Sequence, residues 1–120
     1  MKTKEQLRKK FLILRKKKYF DVSHDKFYQL SNYLKKKYKS KKNYFIALYY
    51  PSNFEFNILK VINYLKNSKF TLLMPRIKEG NLLKFVKWNE SDILVVNKFG
   101  IPEPIKTKKS YLPDILLVPL

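Results

Sequence analysis

The sequence predicts an α/β fold: a three-layer, open, mostly parallel sheet flanked by helices, built as a single domain over residues 1–120. Three observations predict it. Tyr44–Tyr50 and Phe70–Met74 are short continuous apolar runs, each ended by a proline, as expected of strands buried on both faces. Between them Ile58, Val61, Ile62 and Leu65 recur at helical spacing, so strand, helix and strand follow within about 30 residues as a βαβ unit. Ile115–Val118 is a third apolar run of the same central type.

The elements follow in order. Residues 4–19 read as an amphipathic helix whose Leu7, Phe11 and Leu14 form one apolar stripe, which the strands elsewhere in the chain are expected to cover. Ser23 is a good N-cap for a second helix, with Asp25 in its first turn. Phe27, Leu30, Leu34 and Tyr38 continue one face of it until the lysine-rich 35–42 stretch. After the first strand, Asn57 caps the crossover helix, which should stop at Asn67-Ser68. Pro75 should end the second strand. Gly80-Asn81 marks a turn, and Leu82–Trp88 reads as a strand antiparallel to its predecessor. Residues 89–114, with three prolines, look irregular. Ligands of open α/β sheets bind beyond the carboxyl ends of the strands. A chain closing directly on a central-type strand lacks the loop where a site would be built, so the expectation is a domain truncated at its C-terminus.

Composition excludes whole classes of chemistry. The chain has only two glycines, Gly80 and Gly100, where average usage near ~7% gives roughly eight, so no glycine-rich phosphate cradle exists in it. Zero cysteines remove disulfides, cysteine-ligated metals and a thiol nucleophile, and the single His24 removes a multi-histidine metal site. The longest apolar run, Tyr44 to Pro51, falls far short of the ~18 residues that span a bilayer, and no secretory segment precedes it. A cytoplasmic protein is the expectation. The net charge of +18 raises a nucleic-acid reading, but only three of the 27 basic residues are arginine, the residue suited to base edges and phosphate forks. The lysines fall in short runs at helix ends and turns, which suits a solvated basic surface.

Several segments, taken in order, resemble the 5-formyltetrahydrofolate cyclo-ligase family. They are the helix with Lys4-x-x-Leu7-Arg8, the strand, proline and acidic residue of Ile46–Glu55, and Met74-Pro75-Arg76. Phe85-x-x-Trp88, Phe99-Gly100-Ile101-Pro102-Glu103-Pro104 and Pro113-Asp114-Ile115-Leu116-Leu117-Val118-Pro119-Leu120 complete the set. The resemblance implies an ATP-driven reaction. The formyl oxygen of 5-formyltetrahydrofolate is phosphorylated, N10 attacks the activated carbon, and loss of phosphate yields 5,10-methenyltetrahydrofolate with ADP. Catalysis of that kind is mostly positioning and charge neutralisation.

Carried onto this chain, the resemblance makes Lys4 and Arg8 contacts to the ATP phosphates, and their spacing of four puts both cations on one helix face. It makes Glu55 the carboxylate that hydrogen-bonds the folate, Tyr50 a wall of the folate pocket, and Phe99 the aromatic beside the pterin. Arg76 is a secondary phosphate contact. The family often has glycine before the acidic residue and threonine three places after it; here Phe54 and Ile58 stand there, which puts the loop geometry in question. The family's glycine-rich segment ending in Tyr-Tyr-Asp, which supplies phosphate-binding amides and a Mg2+ carboxylate, has no counterpart in the sequence. No catalytic or metal-ligating residue is therefore assigned, and the 120 residues alone are expected to be inactive. The implied partners are ATP, Mg2+ and 5-formyltetrahydrofolate with or without a polyglutamate tail, with no nucleic acid and no membrane, and a monomer at full length. The alternative is a small basic nucleic-acid-binding protein, whose affinity would fall steeply with salt.

Overall fold

Thr3 opens the first helix, α1 (Lys4–Lys18), with a complete capping box: its hydroxyl accepts from Gln6 N–H and the Gln6 side chain accepts from Thr3 N–H. The computed structural model describes residues 1–65, 68–105 and 109–119. In it α1 buries no residue: Leu7, Phe11 and Leu14 are 39%, 53% and 37% exposed. The expectation that strands cover this stripe is corrected. Periodicity marks an apolar face without supplying its partner. No described helix is long and apolar enough to cross a membrane.

Helix α2 (His24–Lys37) begins after Ser23 as expected and buries Phe27, Ser31 and Leu34. Strand β1 (Tyr44–Ala47) is shorter than its apolar run, although Leu48 N–H still donates to Leu73 O. Asn57 caps the crossover, its side chain accepting from Leu59 N–H. A 3-10 turn, Ile58–Val61, leads into α3 (Ile62–Leu65), and the expected stop at Asn67 lies outside the described residues. Together they bury Ile58, Val61, Ile62 and Leu65 against α2 and one face of the sheet. That face carries Tyr44, Ile46, Leu48, Phe70, Leu72, Met74 and Ile115, so the burying helices share one layer. Because α1 buries nothing, it does not supply the third layer expected on the opposite face.

Strand β2 (Phe70–Lys78) runs through Pro75 instead of ending there. The pairing phase explains this. Trp88 N–H donates to Leu72 O, which makes Pro75↔Phe85 a non-hydrogen-bonded pair, so the proline nitrogen points away from β3 (Leu82–Lys87) to the side where β1 has already ended. Gly80 turns the β2–β3 connection at φ 75°, as its sequence position implied. The stretch expected to be irregular holds three short strands: β4 (Leu94–Val96) and β5 (Pro102–Pro104), paired as a hairpin, and β6 (Ser110–Tyr111).

The main sheet has the order β6-β3-β2-β1-β7, where β7 is Ile115–Leu116. β1 is parallel to both β2 and β7, while β3 is antiparallel to β2 and β6, so four of the five strands point the same way. β7 lies at the sheet edge, with Leu116 and Val118 51% and 67% exposed, and is not the central strand its composition suggested. The two edge strands β6 and β7 are joined only by Leu112–Asp114. From Tyr111 to Ile115 the chain reaches at most about 14 Å. A flat sheet would separate these strands by about 19 Å. The sheet is therefore rolled, and the rings of Phe45 on β1 and Tyr111 on β6 meet at 5.1 Å across its concave face. Ala47 and Leu73 on that face have no exposure.

Candidate functional site

The carboxyl end of β1 leads into Tyr49-Tyr50-Pro51 and a tight turn. Glu55 N–H donates to Ser52 O at 3.0 Å, and Ser52 returns its N–H and hydroxyl to Glu55 Oε1 at 2.9 and 3.1 Å. The turn holds Asn53 and Phe54 at φ 51° and 61°. A left-handed phenylalanine costs about 1–3 kcal/mol, and it occupies the place where the family often has glycine. Its ring is held at 6.1 Å from Tyr19, with Lys16 Nζ 5.8 Å from its centroid. The departure at Phe54 thus keeps the turn and adds strain offset by ring contacts.

Glu55 is the pivot of this region. Its Oε2 lies 3.6 Å from Arg15 Nη1, with side-chain exposures of 17% and 31%. Tyr50 and Glu55 line one cleft of about 430 Å³ with Tyr19, Phe54, Asn57 and Leu59. Glu55, Arg15 and Lys18 then border a second, of about 500 Å³, against Phe11, Leu14 and Pro119. A largely apolar third, about 750 Å³, opens between Tyr49, Phe56, Leu117 and Val118. Burial, and secondarily the charge of Glu55, raise the Tyr49 phenol above its ordinary value, so it stays a donor, here to Phe56 O at 2.7 Å. An anchored carboxylate between aromatic rings suits a flat ligand that offers an N–H.

Lys4 and Arg8 are exposed and lie on the same α1 face as Arg15, about 16 and 10 Å along the axis from it. Neither lines the clefts around Glu55. Phe99 stands 58% exposed in the β4–β5 turn, with Lys98 Nζ 5.3 Å from its ring centroid. Arg76 is turned inward. Its Nη1 donates to Glu103 Oε1 at 3.3 Å and to Pro104 O at 2.8 Å. Glu103 Oε2 accepts from Ile77 N–H and Asn97 Nδ2, both at 3.0 Å, which pins the hairpin to β2. The structure thus brings Tyr50 and Glu55 together and leaves Lys4, Arg8, Phe99 and Arg76 outside the clefts around them.

Two residues escaped sequence reasoning. Arg15 lies seven residues after Arg8, hence on the same helical face, a spacing that would have grouped it with the two cations. Asn97 carries no local signal, because its role depends on Glu103 folding back over β2. Among the described residues no group of three or more His, Cys, Asp or Glu is placed to hold a metal ion. Lys4 and Arg8 suit the charge of a polyphosphate, but among the described residues neither backbone cradle nor metal ligand accompanies them.

The chain is similar to Aquifex aeolicus 5,10-methenyltetrahydrofolate synthetase, whose NMR structure superposes with a TM-score of 0.62 at 26% identity. The match covers 95% of this chain and 59% of that one, so the chain spans about three-fifths of its relative's length. No curated protein sequence matches. The family model for 5-formyltetrahydrofolate cyclo-ligases matches residues 1–120, so the chain belongs to the 5-formyltetrahydrofolate cyclo-ligase family.

Proposed function

We propose that this chain binds 5-formyltetrahydrofolate and forms the folate-side part of a site for its ATP-dependent conversion to 5,10-methenyltetrahydrofolate, ADP and phosphate. The observation that carries the reading is Glu55, held by Ser52 and Arg15 at the mouth of a cleft walled by Tyr19, Tyr50 and Phe54. Glu55 accepts a hydrogen bond from a pterin N–H, Tyr50 packs along the ring, and Phe99 closes over it from the hairpin. Lys4 and Arg8 meet the phosphates of ATP, and Arg76 holds the hairpin in place while remaining a secondary phosphate contact. When bound, ATP supplies the phosphoryl group that turns the formyl oxygen into a leaving group. Holding N10 and the formyl carbon in fixed orientation is the contribution of the folate-side residues. The lysines lie on α1, on the last turn of α2 and on both faces of β3, a scatter that favours a soluble basic surface over a nucleic-acid footprint.

The test is calorimetric titration of the 120-residue chain with 5-formyltetrahydrofolate, alongside the ATP-dependent absorbance gain of methenyl product. Saturable binding, weakened at least tenfold in Glu55→Gln, is expected, with no turnover by these residues alone. Absence of binding in the unmodified chain overturns the folate reading, and turnover overturns the proposed inactivity.

A further inference from the structure

We propose that the cleft under the β2–β3 turn is a subsite for oxyanions, carboxylate or phosphate. It measures about 760 Å³ and is lined by Arg76, Lys78, Lys84, Asn97, Lys98 and Glu103, with the exposed Glu79 at the turn. The cations are not spread along an edge. Arg76 and Lys84 are directly opposite each other in the β2–β3 ladder, and Lys78, two residues on from Arg76, shares their face. Like charges placed directly opposite destabilise a strand pair. The fold answers only one of them: Glu103 takes Arg76, and its other oxygen is taken by Ile77 and Asn97. Neither Lys78 nor Lys84 has a hydrogen-bond or ion-pair partner among the described residues.

One further observation points to a ligand. Lys98 is brought over the same cleft by a hairpin that Glu103 pins in place, so the fourth cation is held there by a buried network and not by chance of a free loop. A ligand with two or more oxyanion groups would relieve the Arg76–Lys84 repulsion and give Lys78 and Lys84 their missing partners.

The inference shares Arg76 with the proposed phosphate contact, but its test uses simple oxyanions, so it can fail while folate binding at Glu55 stands. The chain is titrated with tripolyphosphate and with the tripeptide γ-Glu-γ-Glu-Glu while backbone amide shifts are followed by NMR. Saturable shifts confined to residues 76–84 and 97–99 are expected, with affinity for the better ligand at least tenfold weaker in both Lys84→Gln and Lys98→Gln. The control Lys36→Gln, in the last turn of α2, should change it less than twofold. The tighter of the two ligands identifies the source, phosphate or carboxylate. Shifts spread equally over the lysines of α1 and α2, or Lys84→Gln and Lys98→Gln both binding within twofold of the unmodified chain, overturn the proposal.

Discussion

Helices α1 and α2 are nearly equal in length, and both follow a hydroxyl residue, yet they are held in opposite ways. α1 has both bonds of its capping box and an exposed Glu5–Lys9 pair, and buries nothing. α2 has no side-chain cap bond at Ser23 and buries Phe27 and Leu34 in the core. Local interactions define the first helix and tertiary packing defines the second. An isolated helix of this length is marginal in water, so α1 depends on its cap and on the Arg15–Glu55 and Tyr19–Phe54 contacts at its carboxyl half. The same apolar spacing therefore carries different energies depending on what lies opposite.

The largest expected effect comes from truncating the packed helix. Phe27→Ala should cost about 3–5 kcal/mol in urea unfolding, whereas Phe11→Ala should stay within about 0.5 kcal/mol. Equal losses would mean that α1 is packed after all. A smaller effect separates the caps. Thr3→Ala should cost about 1 kcal/mol of local helix stability, read as faster amide exchange in α1, while Ser23→Ala leaves α2 within a few tenths. The smallest effect is a pH dependence in the packed region. Hydrogen bonds from Lys41 Nζ and from Phe45 N–H hold the Asp114 carboxyl below its ordinary value. A lowered folded value means that this stabilisation is complete above the usual carboxylate range, about 4, and is lost as pH falls through the depressed value. Asp114→Asn should therefore flatten the acid limb of the stability profile and leave its neutral-pH slope unchanged.

What could be read in advance follows the reach of each cause. The Asn57 cap, the Gly80 turn and the Phe27/Leu34 face depend on neighbours a few residues away, and the structure has all three. Pro75 was misread as a strand end because its tolerance depends on the β2–β3 pairing phase and on where β1 stops. The β4–β5 hairpin looked irregular because it is secured by Glu103, whose donors come from Arg76, Ile77 and Asn97. In the site, Glu55 and Tyr50 are close in sequence and share a cleft, but Arg15, the cation that meets Glu55, lies 40 residues earlier. Long-range pairing of charges leaves no periodic trace.

The rolled sheet carries a consequence for the order in which the chain assembles. β1 meets β2 across 26 residues, as in Tyr44↔Phe70, but meets β7 across 69, as in Ile46↔Ile115. Closing the longer loop costs about 0.9 kcal/mol more in chain entropy, and it is repaid by only a two-residue ladder. Asp114 extends that ladder in both directions: its amide donates to Phe45 O and its carboxylate accepts from Phe45 N–H. The β1–β2–β3 unit can therefore form early on synthesis, with β7 docking last through Asp114 and through Leu117, whose N–H donates to Ala47 O, and acid weakens the carboxylate part of that latch.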